Sequence, residues 1–204
     1  KKLADLSHGV YREINGECSY PPTNVSSENP PDWAQLLKNI RGKEELDNLV
    51  IELSKKITNK CHEIGGGIVF VCVMRGGFMF FSDLVKHIEY PIEVDFIKCS
   101  LYEGMNQKAL QMQYDIETNI KDKTIFIVDD IFDSGTTMRH LKNHFKTRGA
   151  KQIESVSAVY KENVDFPNHF YIYKQPEGVD PWYIGYGMDD PKGYSRNLNT
   201  IHTL

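Results

Sequence analysis

Apolar and polar positions divide the 204-residue chain into alternating helical and extended stretches. From Lys43 to Lys60, Leu46, Leu49, Val50, Leu53 and Ile57 recur every three or four residues with charges opposite, which predicts an amphipathic helix. Gly65-Gly66-Gly67 then interrupts the chain, and the unbroken apolar run Ile68–Met74 predicts a strand buried on both faces. Arg75-Gly76-Gly77 turns into a predicted helix from Phe78 to Ile88. Ile92, Val94 and Phe96 alternate with Glu93 and Asp95 as a strand would. Thr124–Val128 is a second buried strand, Met138, Leu141 and Phe145 give the following helix its buried face, and Gly149 stops it. Ile153–Tyr160, Phe170–Tyr173 and Trp182–Tyr186 complete the strand candidates. Strands alternating with helices predict βαβ units: an α/β fold with a mainly parallel, twisted sheet flanked by helices. Its site should lie in the loops after the strands' carboxyl ends.

Two segments lack this patterning. Ser19–Pro31 holds four of the nine prolines and reads as a loop or arm. Ser100–Thr118 is polar and Gln-rich, and reads as a long loop of the kind that serves as a mobile lid.

Composition narrows the class. An apolar fraction of 40% and a charged fraction of 25% are those of a globular chain, and 204 residues suit one domain, 1–204. The net charge of −4 gives no global basic footprint, so nucleic acid is not an expected partner. The longest apolar stretch, Ile68–Met74, is far too short to span a bilayer, so no membrane association is expected. From Lys1 onwards no cleavable signal is visible, and the missing initiator Met is compatible with a leader already removed. Cys18, Cys61, Cys72 and Cys99 form no CxxC pair and no disulfide framework, which points to a reducing, cytoplasmic setting.

The densest chemistry lies at Ile125–Thr137. An apolar strand delivers Asp129 and Asp130 to the sheet's edge, and Asp133-Ser134-Gly135-Thr136-Thr137 then leads into a helix. Backbone N–H groups of such a turn, with the helix's positive end, make a phosphate cradle. Carboxylates beside it fit a hard cation such as Mg²⁺, or a polyhydroxy sugar, lying between. A lone Asp-Ser-Gly would mean only a strand end and a helix cap. Three carboxylates and three hydroxyls within nine residues say more. The stretch is not a P-loop, since no Gly-x-x-x-x-Gly-Lys occurs. It is not a receiver domain's acid pair either, because some 125 residues precede it and no later strand ends in an Asp–Thr–Lys series. His140 and His144, four apart on one predicted helix, lack a third ligand and read as solvent-facing.

Val128-Asp-Asp-Ile-Phe-Asp-Ser-Gly-Thr-Thr137 resembles the phosphoribosyl-pyrophosphate motif of purine phosphoribosyltransferases of the hypoxanthine-guanine type. Met74-Arg-Gly-Gly77 is similar to that family's pyrophosphate loop. Phe96–Glu103 sits where its lid starts, and Val159-Tyr-Lys161 resembles the strand whose Lys reads the purine 6-oxo group. Trp182–Asp189 with Tyr194–Leu198 resembles its C-terminal hood, a small subdomain from about 160 to 204.

The resemblance implies a type I phosphoribosyltransferase fold and Mg²⁺-dependent transfer from phosphoribosyl pyrophosphate to hypoxanthine or guanine, with xanthine a third candidate. By the same likeness, Asp129 and Asp130 hold the ribose hydroxyls and a Mg²⁺, and Asp133 acts at purine N7. Residues Asp133, Ser134, Gly135, Thr136 and Thr137 bind the 5-phosphate; Arg75, Gly76 and Arg196 bind pyrophosphate; Asp189 positions a second Mg²⁺. Trp182 stacks on the base, Lys161 donates to O6, the Tyr183 main chain tests the 2-substituent, and Tyr102 belongs to the lid. A homodimer or homotetramer is implied as well.

Three positions depart from the pattern: Asp129 replaces the usual Glu, Arg75 the usual Lys, and Leu101 the lid Ser that precedes Tyr102. Leu101 is the feature that favours a rival reading, a weakly catalytic or non-catalytic nucleotide sensor on the same fold. Lys161 and Trp182–Asp189 disfavour a pyrimidine enzyme.

Overall fold

A computed structural model describes residues 41–100, 111–161, 169–176 and 178–204 in full, and backbone alone at 12–14, 17–19, 38–40, 101–103 and 108–110. The elements run β1 (Arg12–Ile14), β2 (Glu17–Ser19), β3 (Lys38–Arg41), α1 (Lys43–Ile64), β4 (Ile68–Met74), α2 (Phe78–Val85), β5 (Glu93–Glu103) and β6 (Lys108–Tyr114). They continue with β7 (Thr124–Phe132), α3 (Thr136–Thr147), β8 (Gln152–Tyr160), β9 (His169–Lys174), β10 (Tyr183–Ile184) and β11 (Ile201–Thr203).

Six strands form the main sheet in the order β6-β5-β4-β7-β8-β9. Every pairing is parallel except β5 with β6, which is antiparallel. The central strand β4 is apolar throughout, and β7 is apolar from Ile125 to Val128, because both faces are covered there. Phe70, Cys72, Phe126 and Val128 pack on the side of α1 and α2, whereas Val69, Val71, Ile125 and Ile127 pack against Met138, Leu141 and Phe145 of α3. On α1 the buried positions Leu46, Val50, Leu53, Ile57 and Cys61 follow the predicted stripe. At the end of α3, Ala150 N–H bonds to Phe145 O and Gly149 N–H to Lys146 O, with Gly149 at φ +87°. That is the Schellman arrangement that a glycine at this position favours.

A second, antiparallel sheet of order β10-β11-β3 joins the N-terminal strand to the two C-terminal ones, and β1 pairs with β2 in a two-stranded sheet. The predicted fold class is therefore observed, with the small hood built from both ends of the chain.

Two expectations need correction. Residues 100–118 are not a long loop: 100–103 continue β5 and 108–114 form β6, an edge hairpin with Cys99 opposite Met112. Exposed Gln111 and Gln113 flank half-buried Met112, so one face of an edge strand carries too little apolar signal to stand out. The hairpin's base is tied down by Asp95, whose carboxylate accepts N–H bonds from Phe96 (2.7 Å), Glu117 (3.0 Å) and Thr118 (2.8 Å). Burial raises the Asp95 pKa, but the Thr118 side-chain hydrogen bond together with these N–H bonds outweighs it and holds the group below its ordinary value.

Nor does His144 face solvent. Its Nε2 lies 2.8 Å from Asp115 Oδ2, and Arg148 completes the cluster 3.0 Å from Asp115 Oδ1, fastening α3 to the chain after the hairpin. The arm over 19–31 lies outside the described residues apart from Ser19, whose backbone ends β2. No helix among the described residues is long and apolar enough to cross a membrane.

Candidate active site

Strands β4, β7 and β8 run parallel, so their carboxyl ends deliver Arg75, Asp129–Asp133 and Lys161 to one edge of the sheet. Lys161 N–H bonds to Phe132 O at 3.0 Å, which fixes the root of the lysine beside the Asp133 turn. Its ammonium lies 3.2 Å from Asp133 Oδ1 and 2.7 Å from Asp180 Oδ1. Burial lowers the Lys161 pKa, but the hydrogen bonds and charges of Asp180 and Asp133 raise it further, so the net shift is upward. A cleft of about 260 Å³ opens there between Asp130, Asp133 and Lys161 on one side and Trp182, Met188 and Asp189 on the other.

The acid pair is unevenly placed. Asp129 Oδ1 accepts the Asp130 N–H at 2.9 Å, and Asp130 Oδ1 accepts that of Ile131 at 2.9 Å. Although Asp129 as a residue is only half-buried, enclosure of its carboxyl and the adjacent Asp130 charge raise it well above the usual carboxylate range. Beyond Asp133, Ser134 Oγ and Thr136 Oγ1 are 2.9 Å apart, the Thr136 N–H reaches Ser134 Oγ at 3.3 Å, and the N-cap of α3 is Gly135, at φ +68°, which has no side chain to cap the N–H groups that follow. Those N–H groups and hydroxyls form a turn suited to an oxyanion.

The Arg75-Gly76-Gly77 loop packs against both neighbours, following a cis Met74–Arg75 peptide. A Cβ on Gly76 would fall 1.8 Å from Asp130 Oδ2, and one on Gly187 would fall 1.9 Å from Gly76 O. Gly187 belongs to a turn in which Gly185, Tyr186 and Gly187 all have positive φ (83°, 52° and 101°). The predicted strand over 182–186 is thus only Tyr183–Ile184, because the two glycines reverse the chain around Tyr186. The reversal sets Asp189 beside the cleft, where its carbonyl accepts the indole N–H of Trp182 at 2.8 Å.

On the far side of this turn, Arg75, Phe78, Tyr194 and Arg196 line a second cleft of about 390 Å³. Arg196 bonds to Gly187 O at 2.7 Å and to Asp189 Oδ2 at 2.6 Å. The residue expected to clamp pyrophosphate is therefore paired with the one expected to position a metal.

The structure brings Asp130, Asp133, Lys161, Trp182, Tyr183 and Asp189 around one cleft, and Arg75 and Arg196 around the other. Both Trp182 and Tyr183 line the first cleft, but Trp182 is 55% exposed whereas Tyr183 is buried. Tyr102 contributes backbone to β5, and its side chain lies outside the described residues. Among the described residues no three metal-ligating side chains cluster. Asp130 and Asp189 still offer the hard oxygen donors that Mg²⁺ takes, and Mg²⁺ commonly uses one or two carboxylates plus substrate phosphates and waters rather than a protein cage. Sequence reasoning missed Asp180, Asp83 and Gly187. Of these only Gly187 carried a signal, the Gly-Tyr-Gly triplet of a tight turn.

A family model described as the phosphoribosyl transferase domain matches residues 33–191. The hypoxanthine phosphoribosyltransferase of Salmonella typhimurium is 32% identical over 155 residues, covering 74% of this chain and 85% of that protein. The hypoxanthine-guanine phosphoribosyltransferase of Staphylococcus aureus is 31% identical over 166 residues, covering 79% and 89%. Among solved structures, a hypoxanthine phosphoribosyltransferase from Staphylococcus aureus superposes with a TM-score of 0.74 at 29% identity, covering 82% of this chain and 90% of that one. A hypoxanthine-guanine phosphoribosyltransferase from Bacillus anthracis, with HEPES in its active site, gives 0.74 at 31% identity, covering 82% and 98%.

Proposed function

The chain belongs to the phosphoribosyl transferase family and is a purine-salvage pentosyltransferase of the hypoxanthine-guanine type; from its clefts we propose how its residues divide the reaction. Phosphoribosyl is transferred from phosphoribosyl pyrophosphate to N9 of hypoxanthine or guanine, with xanthine a third candidate. The C1–N9 bond forms, the C1–oxygen bond breaks, and pyrophosphate leaves with the electron pair.

The observation that carries this reading is the Asp133–Lys161 pair, a carboxylate and an ammonium 3.2 Å apart at the mouth of the first cleft. A 6-oxopurine presents N7 and O6 side by side, so Asp133 takes the N7 proton as N9 attacks and Lys161 donates to O6. Trp182 covers the base with its exposed face, and the Tyr183 main chain meets the 2-position. Asp129 and Asp130 hold the ribose hydroxyls, and the turn from Asp133 to Thr137 holds the 5-phosphate through backbone N–H groups and the Ser134, Thr136 and Thr137 hydroxyls. Arg75, Gly76 and Arg196 receive the pyrophosphate. Asp130 and Asp189, with Asp129 behind, are the residues that would hold Mg²⁺, which when bound supplies positive charge to the leaving pyrophosphate. The β5–β6 hairpin, carrying Tyr102, serves as the lid that keeps water from the sugar.

The free thiols of Cys61 and Cys72 fit the cytoplasmic setting proposed for this chemistry. Exposed Phe78 and Phe96, near Phe81, fit assembly as a homodimer or homotetramer.

The test is nucleotide formation from phosphoribosyl pyrophosphate with hypoxanthine, guanine, xanthine, adenine and uracil in parallel, with and without Mg²⁺. Metal-dependent turnover of a 6-oxopurine is expected. Failure of all five bases, with phosphoribosyl pyrophosphate still bound, would replace this reading by the nucleotide-sensor one.

A further inference from the structure

Lys161 has two carboxylate partners, and only Asp133 is accounted for by the chemistry above. The shorter contact, 2.7 Å, goes to Asp180, whose own side chain is 82% exposed. An ordinary surface ion pair of that exposure contributes little, because two flexible side chains must be immobilised to make it. Here neither partner is free in that sense. The Lys161 side chain is 16% exposed and its N–H is bonded to Phe132 O. Asp180 is held from both sides along the backbone. The carbonyl of Val179 accepts a hydrogen bond from the side-chain amide of Gln175, a residue 4% exposed whose own N–H bonds to Tyr160 O at 2.9 Å. Pro181 follows, restricting Asp180 to extended backbone and lining the first cleft itself.

The consequence concerns Asp133. An ammonium 3.2 Å from a carboxylate occupies the acceptor that purine N7 needs, and with no other partner Lys161 would close fully onto Asp133. A second carboxylate on the opposite side draws the ammonium away and leaves one of its three N–H groups for O6.

We propose that Asp180 is a positioning residue for base recognition: it holds the Lys161 ammonium between two carboxylates and closer to its own, so that Asp133 stays available to N7 and Lys161 to O6. The proposal rests on the 6-oxopurine reading above. Asp180 touches no reacting atom and acts through Lys161 alone.

The experiment compares wild type, Asp180→Ala and Asp180→Glu in steady-state assays that vary hypoxanthine and phosphoribosyl pyrophosphate separately. For Asp180→Ala the KM for hypoxanthine should rise about fivefold, the size expected from losing one well-held ion pair, with kcat and the KM for phosphoribosyl pyrophosphate little changed. Asp180→Glu should recover most of the loss. An unchanged hypoxanthine KM, an equal rise in both KM values, or no recovery by Glu would overturn the proposal.

Equilibrium binding separates it from the reading beneath it. Inosine monophosphate carries the 6-oxo base and ribose 5-phosphate carries none, so Asp180→Ala should weaken only the former, whether or not the chain turns over. If wild type binds ribose 5-phosphate with no added affinity for the base, both the 6-oxopurine reading and the role of Asp180 fail. If wild type gains affinity from the base and Asp180→Ala keeps that gain, only the role of Asp180 fails.

Discussion

The phenol of Tyr186 donates a 2.9 Å hydrogen bond to Asp83 Oδ2, joining positions 103 residues apart. Asp83 lies on α2, the helix that the Arg75-Gly76-Gly77 loop opens into, and Tyr186 lies at the tip of the hood turn that precedes Asp189. One bond thus ties the proposed pyrophosphate loop to the proposed metal carboxylate from behind. Burial and the Asp83 charge both push the Tyr186 pKa up, so the phenol keeps its proton.

Tyr186→Phe should therefore destabilise the fold by about 1–2 kcal/mol, the range for a hydrogen bond to a charged acceptor, discounted because Lys86 also pairs with Asp83. Urea unfolding of Tyr186→Phe, Asp83→Asn and the double variant measures it. If the bond is the cause, the double variant loses less than the sum of the two singles.

Gly187→Ala tests the contact between the same two segments at its closest point. The new Cβ would meet Gly76 O at 1.9 Å on a residue whose φ is +101°, so backbone rather than a flexible side chain must yield. Strain of that kind costs about 3 kcal/mol or more. We expect a lower thermal midpoint together with weakened pyrophosphate binding, both measurable on the purified variant. An unchanged midpoint would mean that the loop and the turn are not held in contact in solution.

Much of this was legible in the chain. Ile68–Met74 had to be a central strand because every residue is apolar and glycines bound it, and the stripe of Met138, Leu141 and Phe145 fixed which face of α3 is buried. Asp129, Asp130 and Asp133 could be placed at the sheet's edge because the apolar run that delivers them ends at Val128, although the strand itself continues through the acid pair to Phe132. What stayed hidden depends on partners distant in sequence. Lys38–Arg41 has one apolar residue and becomes a strand only because Ile201–Thr203 pairs with it. Asp180 looks like any loop acid until Lys161 is seen 2.7 Å away, and nothing near His144 announces Asp115. Leu101 and Tyr102 supply backbone to a hairpin whose alternation is diluted by glutamines.

Asp133→Asn separates chemistry from binding. The amide keeps the size of the side chain and leaves the backbone of the 5-phosphate turn in place, but cannot take up a proton at N7. Turnover should fall about a hundredfold or more, within the range for loss of a positioned general base. Affinity for phosphoribosyl pyrophosphate should change little. Steady-state kinetics with hypoxanthine and a direct binding titration give the two numbers, and equal turnover in variant and wild type would remove Asp133 from the chemistry.

Acid sensitivity of the fold should trace in part to His169, at the start of β9. Its ring bridges two serines: Nδ1 lies 2.8 Å from Ser155 Oγ and Nε2 lies 2.8 Å from Ser157 Oγ. The Ser157 hydroxyl gives its proton to Val159 O, so Nε2 must carry the ring hydrogen and Nδ1 must accept from Ser155. A protonated ring would put a second N–H against Ser155, and Lys142 opposes the added charge. Burial first, and the Lys142 charge second, lower the His169 pKa from 6.5 to about 3. Between those values the unfolded chain binds a proton that the native state refuses, so stability rises with pH across the window. The contribution is complete above about pH 6.5 and is lost progressively as pH falls toward about 3. Between about pH 7.5 and about pH 5 it amounts to about 2 kcal/mol. His169→Gln can keep one donor and one acceptor but cannot titrate, so its unfolding free energy should fall less over that interval than the wild type's. Chemical denaturation of both proteins at the two pH values measures the difference, and parallel pH slopes would show that His169 is not the group responsible.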